Sequence, residues 1–239
     1  VMSGQATLGL ELLEDVEDLS TVLIPLGGGG LTGGVAWVLK QANPSIRVIG
    51  VQVRACAPYA NVPPADGPIV TLADGIAVKW PGDITRPVVE KFVDDIVVVE
   101  EDSVADAMVL LMDRSKLYVE GGGAVGVSAL ISGVVQPAAK GSTCVVLSGG
   151  NVDLGTVPGL IRRNETKAGR RLIVFARISD RPGGLAGLLA LDLDGDRVGQ
   201  LHRGRGVHVG AVEDVVVTGQ EVCVVALTVG PRHRRHPGH

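Results

Sequence analysis

The stretch Thr21-Val22-Leu23-Ile24-Pro25-Leu26-Gly27-Gly28-Gly29-Gly30-Leu31-Thr32-Gly33-Gly34-Val35 decides the fold of this chain. An apolar run reads as a strand over 21–26, and four consecutive glycines follow it. Apolar residues at Leu31, Val35, Val38 and Leu39 then predict a helix over 31–40. Glycine has no Cβ, so such a turn reaches positive φ and brings backbone N–H groups against a ligand. Where a strand hands over to a helix N-terminus, those donors and the helix dipole make an anion site. The stretch therefore predicts a phosphate cup. A plain flexible linker fits less well, because linkers rarely sit so tightly between a strand and a helix.

Outward from this point the chain alternates. Residues 3–16 read as a helix before the first strand, Asn43-Pro44 stops the second helix, and Arg47–Val53 is the next strand. Short connections between helix and strand predict an α/β architecture with a parallel sheet and flanking helices. Residues 54–82 carry five prolines and no clean period, which marks a functional loop. A short helix is predicted from Asp83 to about Phe92, and a strand over 95–99. The run Asp102-Ser103-Val104-Ala105-Asp106 resembles a capping box opening a helix that reaches Lys116. Glu120–Ile131 is rich in small residues and reads as a buried helix pressed on the sheet. Ser142–Leu147 is expected to be a fully buried strand, with Ser148-Gly149-Gly150-Asn151 as the turn at its carboxyl end.

After this first domain, assigned to 1–155, a polar linker is expected over 156–170. Beyond it, Arg171–Ile178 alternates as a strand, and Leu185, Leu188 and Leu189 share a helical face. Residues 192–213 are weakly patterned, 215–217 and 222–229 form a hairpin, and 231–239 read as a disordered tail.

The bulk numbers narrow the function classes. A hydrophobic share of 46% over 239 residues, with mean hydropathy +0.33, calls for a packed core. A net charge of −4 argues against a nucleic-acid surface. Cys56, Cys144 and Cys223 are odd in number and lack paired spacing, so they read as reduced thiols of a cytoplasmic protein rather than zinc ligands. No apolar run approaches the roughly 18 residues of a membrane span. The histidines all follow position 200 and read as solvated.

Gly28, Gly30 and Gly33 satisfy the dinucleotide spacing G-x-G-x-x-G. That site also wants an acidic residue about 20 positions on. Gln52 and Val53 stand there, with Arg54 after them, which leaves only a 2′-phosphate version open. A P-loop is excluded, since no Gly-Lys-Ser/Thr follows the glycines.

Five motifs taken together carry a resemblance. They are Ser3-Gly4-Gln5-Ala6-Thr7-Leu8-Gly9, the tetraglycine loop, Ala73-Asp74-Gly75-Ile76-Ala77-Val78, Val119-Glu120-Gly121-Gly122-Gly123-Ala124 and Leu147-Ser148-Gly149-Gly150-Asn151-Val152. In this order they resemble the threonine dehydratases of the fold-type-II pyridoxal-phosphate lyases, over residues 1 to about 155. The resemblance implies pyridoxal 5'-phosphate as cofactor, its phosphate held by the amides of Gly27, Gly28, Gly29, Gly30 and Leu31. It implies Ser148 on the pyridine nitrogen, Asn151 in the turn beside it, and Glu120 near the cofactor face. A neutral hydroxyl at the ring nitrogen suits β-elimination. Read without the resemblance, Glu120 is a helix N-terminal acid and Ser148 a turn hydroxyl. Ser179-Asp180-Arg181-Pro182-Gly183, within 171–189, resembles the opening of an ACT domain, so 171–230 is expected to be a small α+β ACT-like regulatory domain.

The implied reaction converts L-threonine to 2-oxobutanoate and ammonia, as in isoleucine biosynthesis. The implied partners are an amino-acid substrate, an amino-acid effector and further copies of the chain, with neither nucleic acid nor membrane. Two departures stand out. The family's Schiff-base lysine lies in a Ser-x-Lys-x-Arg-Gly-type segment, and none of Lys40, Lys79, Lys91, Lys116, Lys140 and Lys167 has that context. A cation site in relatives uses a carboxylate where this chain has Gln52, so no metal is expected. The expectation is the C-terminal part of a dehydratase, with no catalytic lysine and negligible turnover alone. The alternative is a non-catalytic amino-acid-sensing module with a vestigial phosphate-binding domain.

Overall fold

A computed structural model describes residues 1–62, 66–177, 212–218 and 222–228. The chain divides into two compact units, Val1–Val157 and Pro158–His239.

The first unit is built on a parallel sheet. Its strands are β1 (Leu19–Pro25), β2 (Arg47–Val53), β3 (Asp95–Val99) and β4 (Ser142–Val145), in the order β3-β2-β1-β4. Thr21 pairs with Arg47 and Leu23 with Ile49, while on the other side Leu23 pairs with Val145. The two central strands are apolar almost throughout because helices cover both faces of the sheet.

On one face lie α1 (Met2–Gln5), α2 (Thr7–Asp15), α3 (Gly30–Ala42) and α4 (Thr85–Phe92). Val22, Ile24 and Val48 pack there with Val35, Leu39 and Ile46, and the second turn of α2 adds Leu12 and Leu13. On the other face lie α5 (Glu101–Leu110) and α6 (Gly121–Ile131). A Cβ at Gly126 would stand 2.5 Å from Val145 Cγ1 and 3.5 Å from Leu23 Cβ, so the missing side chain is what lets α6 lie so close to β1 and β4.

Four expectations for the first unit need correction. The helix expected over 3–16 is two helices broken at Ala6, where α3 crosses: a Cβ at Gly34 would stand 2.4 Å from Met2 O and 3.1 Å from Ala6 N. The capping box at Asp102 does not form. Helix α5 begins one residue earlier, after Glu100, whose carbonyl accepts from Ser103 N and Val104 N, and no side chain caps it. Acidic Glu101 and Asp102 in the first turn meet the positive end of the dipole instead. The strand expected to be fully buried, β4, is half-buried, because it is an edge strand whose only partner among the described residues is β1. The short helix α4 starts at Thr85 rather than Asp83.

Where a linker was expected, α7 (Val157–Lys167) is helical. The second unit also contains β5 (Arg171–Arg177), β6 (Val212–Thr218) and β7 (Val222–Thr228), an antiparallel sheet ordered β5-β7-β6. The expected hairpin is present, with Val216 opposite Val224. The Ser179–Gly183 motif, the helix through Leu189, the histidines and the tail 231–239 lie outside the described residues. No described helix is long and apolar enough to cross a membrane.

Candidate functional site

Strand order reverses direction at β1. The chain steps from β1 through α3 to β2 and onward to β3, then returns to place β4 on the opposite side of β1. In open α/β sheets, ligands bind outside the carboxyl ends of the strands at such a point. The glycine loop stands there, immediately after β1, and Ser148 stands immediately beyond β4.

Gly29 is the N-cap of the 13-residue α3 and has φ +86 and ψ 2, the left-handed region. A side chain there would be strained, and it would also collide: its Cβ would lie 2.4 Å from Tyr59 Oη. The amides of Gly27, Gly28, Gly29, Gly30, Leu31 and Thr32 find no acceptor among the described residues, and the first turn of α3 adds its dipole. A cradle of unpaired amides with no Cβ in the way fits a phosphate.

Polar side chains behind the loop fix it. Thr32 Oγ1 donates to Pro25 O at 2.9 Å, and Gln52 Nε2 donates to Leu26 O at 3.1 Å. The fully buried Gln52 also accepts from Tyr59 N at 3.0 Å and Ala60 N at 3.3 Å, tying β2 to the turn at Pro58–Ala60. Thr85 Oγ1 donates to Gly28 O at 2.5 Å, and Tyr59 Oη reaches the same oxygen at 3.4 Å. Burial pushes the Tyr59 phenol above its ordinary value, against the contact with Thr85 that lowers it.

The remaining expected residues gather on the same rim. The turn at Asp74–Ile76 covers the loop, with Ile76 Cα 3.1 Å from where a Gly27 Cβ would be. Glu120, the N-cap of α6, packs its carboxylate against Gly75 and Gly149, and its amide donates to Gly149 O at 3.1 Å. That carboxylate makes no hydrogen bond or ion pair among the described residues, so Glu120 does not cap its own helix through its side chain. A cleft of about 340 Å³ opens between Glu120, Asp74, Thr71, Asn151 and Asp153. Ser148 and Asn151 are both exposed on this side. The loop glycines and Ser148 do not line that cleft.

Sequence reading missed Tyr59, Thr85 and the structural use of Gln52. Tyr59 is one of only two tyrosines in the chain, and Thr85 opens a helix two residues before Pro87, a start signal that could have flagged it. The dinucleotide reading loses its remaining support: Gln52 is turned inward, and Arg54 is engaged with Glu100 at 2.9 Å. No group of three or more His, Cys, Asp or Glu side chains able to hold a metal occurs among the described residues.

Comparison with known proteins identifies relatives of the chain. The L-threonine ammonia-lyase of Geobacter sulfurreducens is 45% identical over 194 residues, covering 79% of this chain and 48% of that enzyme. The L-threonine ammonia-lyase of Thermotoga maritima is 41% identical over 197 residues, with coverages of 80% and 48%. The chain therefore spans about half the length of the curated relatives it matches. Among solved structures, maize serine racemase superposes with a TM-score of 0.59 at 36% identity, over 68% of this chain and 53% of that one. A threonine deaminase from T.th. gives 0.58 at 34% identity, over 64% and 59%. The sequence family described as pyridoxal-phosphate dependent enzyme matches residues 1–149, which include the glycine loop, Glu120 and Ser148. The chain belongs to the pyridoxal-phosphate dependent enzymes.

Proposed function

We propose that this chain carries the cofactor-phosphate part of a threonine ammonia-lyase site and serves, in the intact enzyme, the conversion of L-threonine to 2-oxobutanoate and ammonia. The observation that carries the reading is the row of unpaired amides from Gly27 to Thr32 at the head of α3, placed where the sheet reverses direction. Hydrogen bonds to a charged group contribute about 1.5–3 kcal/mol each, so a few such amides suffice to hold a phosphate dianion without a basic side chain. In this reading Gly27, Gly28, Gly29, Gly30 and Leu31 bind the phosphate of pyridoxal 5'-phosphate. Ser148 Oγ is free to donate to the ring nitrogen, Asn151 flanks it, and the Glu120 carboxylate is free to accept a proton or hydrogen bond from the ligand. The bound cofactor would supply the electron sink that lets the substrate lose its α-proton and then its β-hydroxyl.

The same proposal holds that this chain does not turn over threonine by itself. Lys40 is held at the far end of α3 by Pro44 O, Ile46 O and Asp94, about 15 Å of helix from the loop. Lys79 follows Val78, which borders Gly28, but donates to Gly67 O at 2.7 Å. Lys116 turns back onto Asp113 O. In the same reading the chain acts in the cytoplasm, where the thiols of Cys56 and Cys144 stay free, and in a homo-oligomer.

The test is incubation of the full chain with pyridoxal phosphate and L-threonine, followed by borohydride and peptide mass spectrometry. We expect no oxo-acid and no pyridoxyl-lysine. Sustained oxo-acid formation with a pyridoxyl group on Lys79 would overturn the claim of incompleteness.

A further inference from the structure

The orientation of the Gly28–Gly29 peptide unit is set from behind, by side chains of the turn at Pro58–Ala60 and of α4. In a planar trans peptide the carbonyl of one residue and the N–H of the next point in opposite directions. The described peptides are all trans. The Gly28 carbonyl is directed inward, where Thr85 Oγ1 donates to it at 2.5 Å and Tyr59 Oη stands at 3.4 Å. The Gly29 N–H, in the same peptide unit, is thereby turned outward to the row of unpaired amides. Thr85 has a second acceptor, Gly82 O, at the longer distance of 3.2 Å, so its single proton is better spent on Gly28. Gly29 itself, at φ +86, has the backbone freedom to let this peptide unit flip if the clamp is released. The clamp is anchored at both ends. Thr85 is the first residue of α4, and Tyr59 sits in the turn whose amides Gln52 holds.

We infer that Thr85, assisted by Tyr59, is a positioning residue for the phosphate cradle: by holding the Gly28 carbonyl inward it presents the Gly29 amide to the cofactor phosphate. This rests on the reading of the loop as a phosphate site. Neither side chain touches the ligand, and the effect is specific to its phosphate end.

The experiment compares pyridoxal 5'-phosphate with pyridoxal, which lacks the phosphate, in titrations of the full chain and of Thr85→Val, Thr85→Ser and Tyr59→Phe. Thr85→Val should weaken pyridoxal phosphate about tenfold or more, the worth of one hydrogen bond to a charged group, and leave pyridoxal unchanged. Thr85→Ser should restore binding, and Tyr59→Phe should give a smaller loss in the same direction. Wild-type affinity in Thr85→Val, or equal losses for both ligands, would overturn the inference. If the unmutated chain binds no pyridoxal phosphate, the site reading fails and the clamp is judged alone. In the ligand-free protein the φ-dependent three-bond coupling of the Gly29 amide should then change in Thr85→Val and return in Thr85→Ser. An unchanged coupling would refute the clamp.

Discussion

Replacing Gly29 by alanine tests the geometry of the loop more severely than any other single change. A non-glycine residue in the left-handed region costs about 1–2 kcal/mol. The new Cβ would also stand 2.4 Å from Tyr59 Oη, 3.0 Å from Val89 Cγ2 and 3.2 Å from Thr85 Cβ, all closer than ordinary contact. Relief requires Tyr59 and Thr85 to withdraw, and their hydrogen bonds to Gly28 O are worth about 0.5–1.5 kcal/mol each. The total is about 2–5 kcal/mol, divided between lost stability and a displaced loop. Urea unfolding reads the first part and titration with pyridoxal phosphate the second, at about 1.4 kcal/mol per tenfold change in affinity. Gly28→Ala is the control for stability, because a Cβ there meets only Val78 Cγ1 at 3.9 Å and φ is not positive; its unfolding free energy should fall by less than about 1 kcal/mol. A Gly29→Ala chain that unfolds and binds like the parent would refute the reasoning.

Other outcomes follow from the same packing. Gly33→Ala places its Cβ at ordinary distances from Val88 and Met2 inside α3, so it should be neutral or stabilise by up to about 1 kcal/mol. Its neighbour Gly34→Ala drives a Cβ into the Met2 carbonyl and should lower the unfolding free energy in urea by about 1–3 kcal/mol; equal behaviour of the two would contradict the crossing of α1 and α3. Gln52→Leu leaves Leu26 O and the Tyr59 amide unpaired in the interior, while the Ala60 amide keeps Ala57 O, and should cost about 2–4 kcal/mol, with the loop's phosphate affinity falling too; a chain of parental stability would show that the amide is not a cross-link. Burial pushes the Cys56 thiol above its ordinary value, against the Lys79 charge that lowers it, so the folded chain keeps this proton longer than the unfolded one. Stability from this group is thus present below the usual thiol range, about 8.5, and declines as pH rises through and above it. Iodoacetamide at pH 8 should label Cys56 at least about tenfold more slowly in the folded chain than in urea, and equal rates would contradict its burial.

The sequence made the sheet legible because parallel strands buried on both faces are continuous apolar runs. Arg47–Val53 and Asp95–Val99 lie where the pattern put them. The burial of β4 was not legible, because burial depends on how many neighbours a strand has and not on its own residues. The break at Ala6 escaped for a similar reason, since it lies where a distant helix crosses. At the site, four successive glycines after a strand signalled an anion cup. Glu120 and Ser148 entered only through the resemblance. The support behind the loop was invisible: Gln52 lies in a strand, Tyr59 in a proline-rich loop and Thr85 at a helix start, and only the fold brings them to the carbonyls of Leu26 and Gly28.

The central claim is that the amides of Gly27 to Leu31 hold the phosphate of pyridoxal 5'-phosphate. Calorimetric titration of the full chain with pyridoxal phosphate and with pyridoxal tests it most directly. The phosphorylated form is expected to bind at least about tenfold more tightly, the difference coming from charge-assisted hydrogen bonds. Equal affinity for the two, or no heat with either, would contradict it.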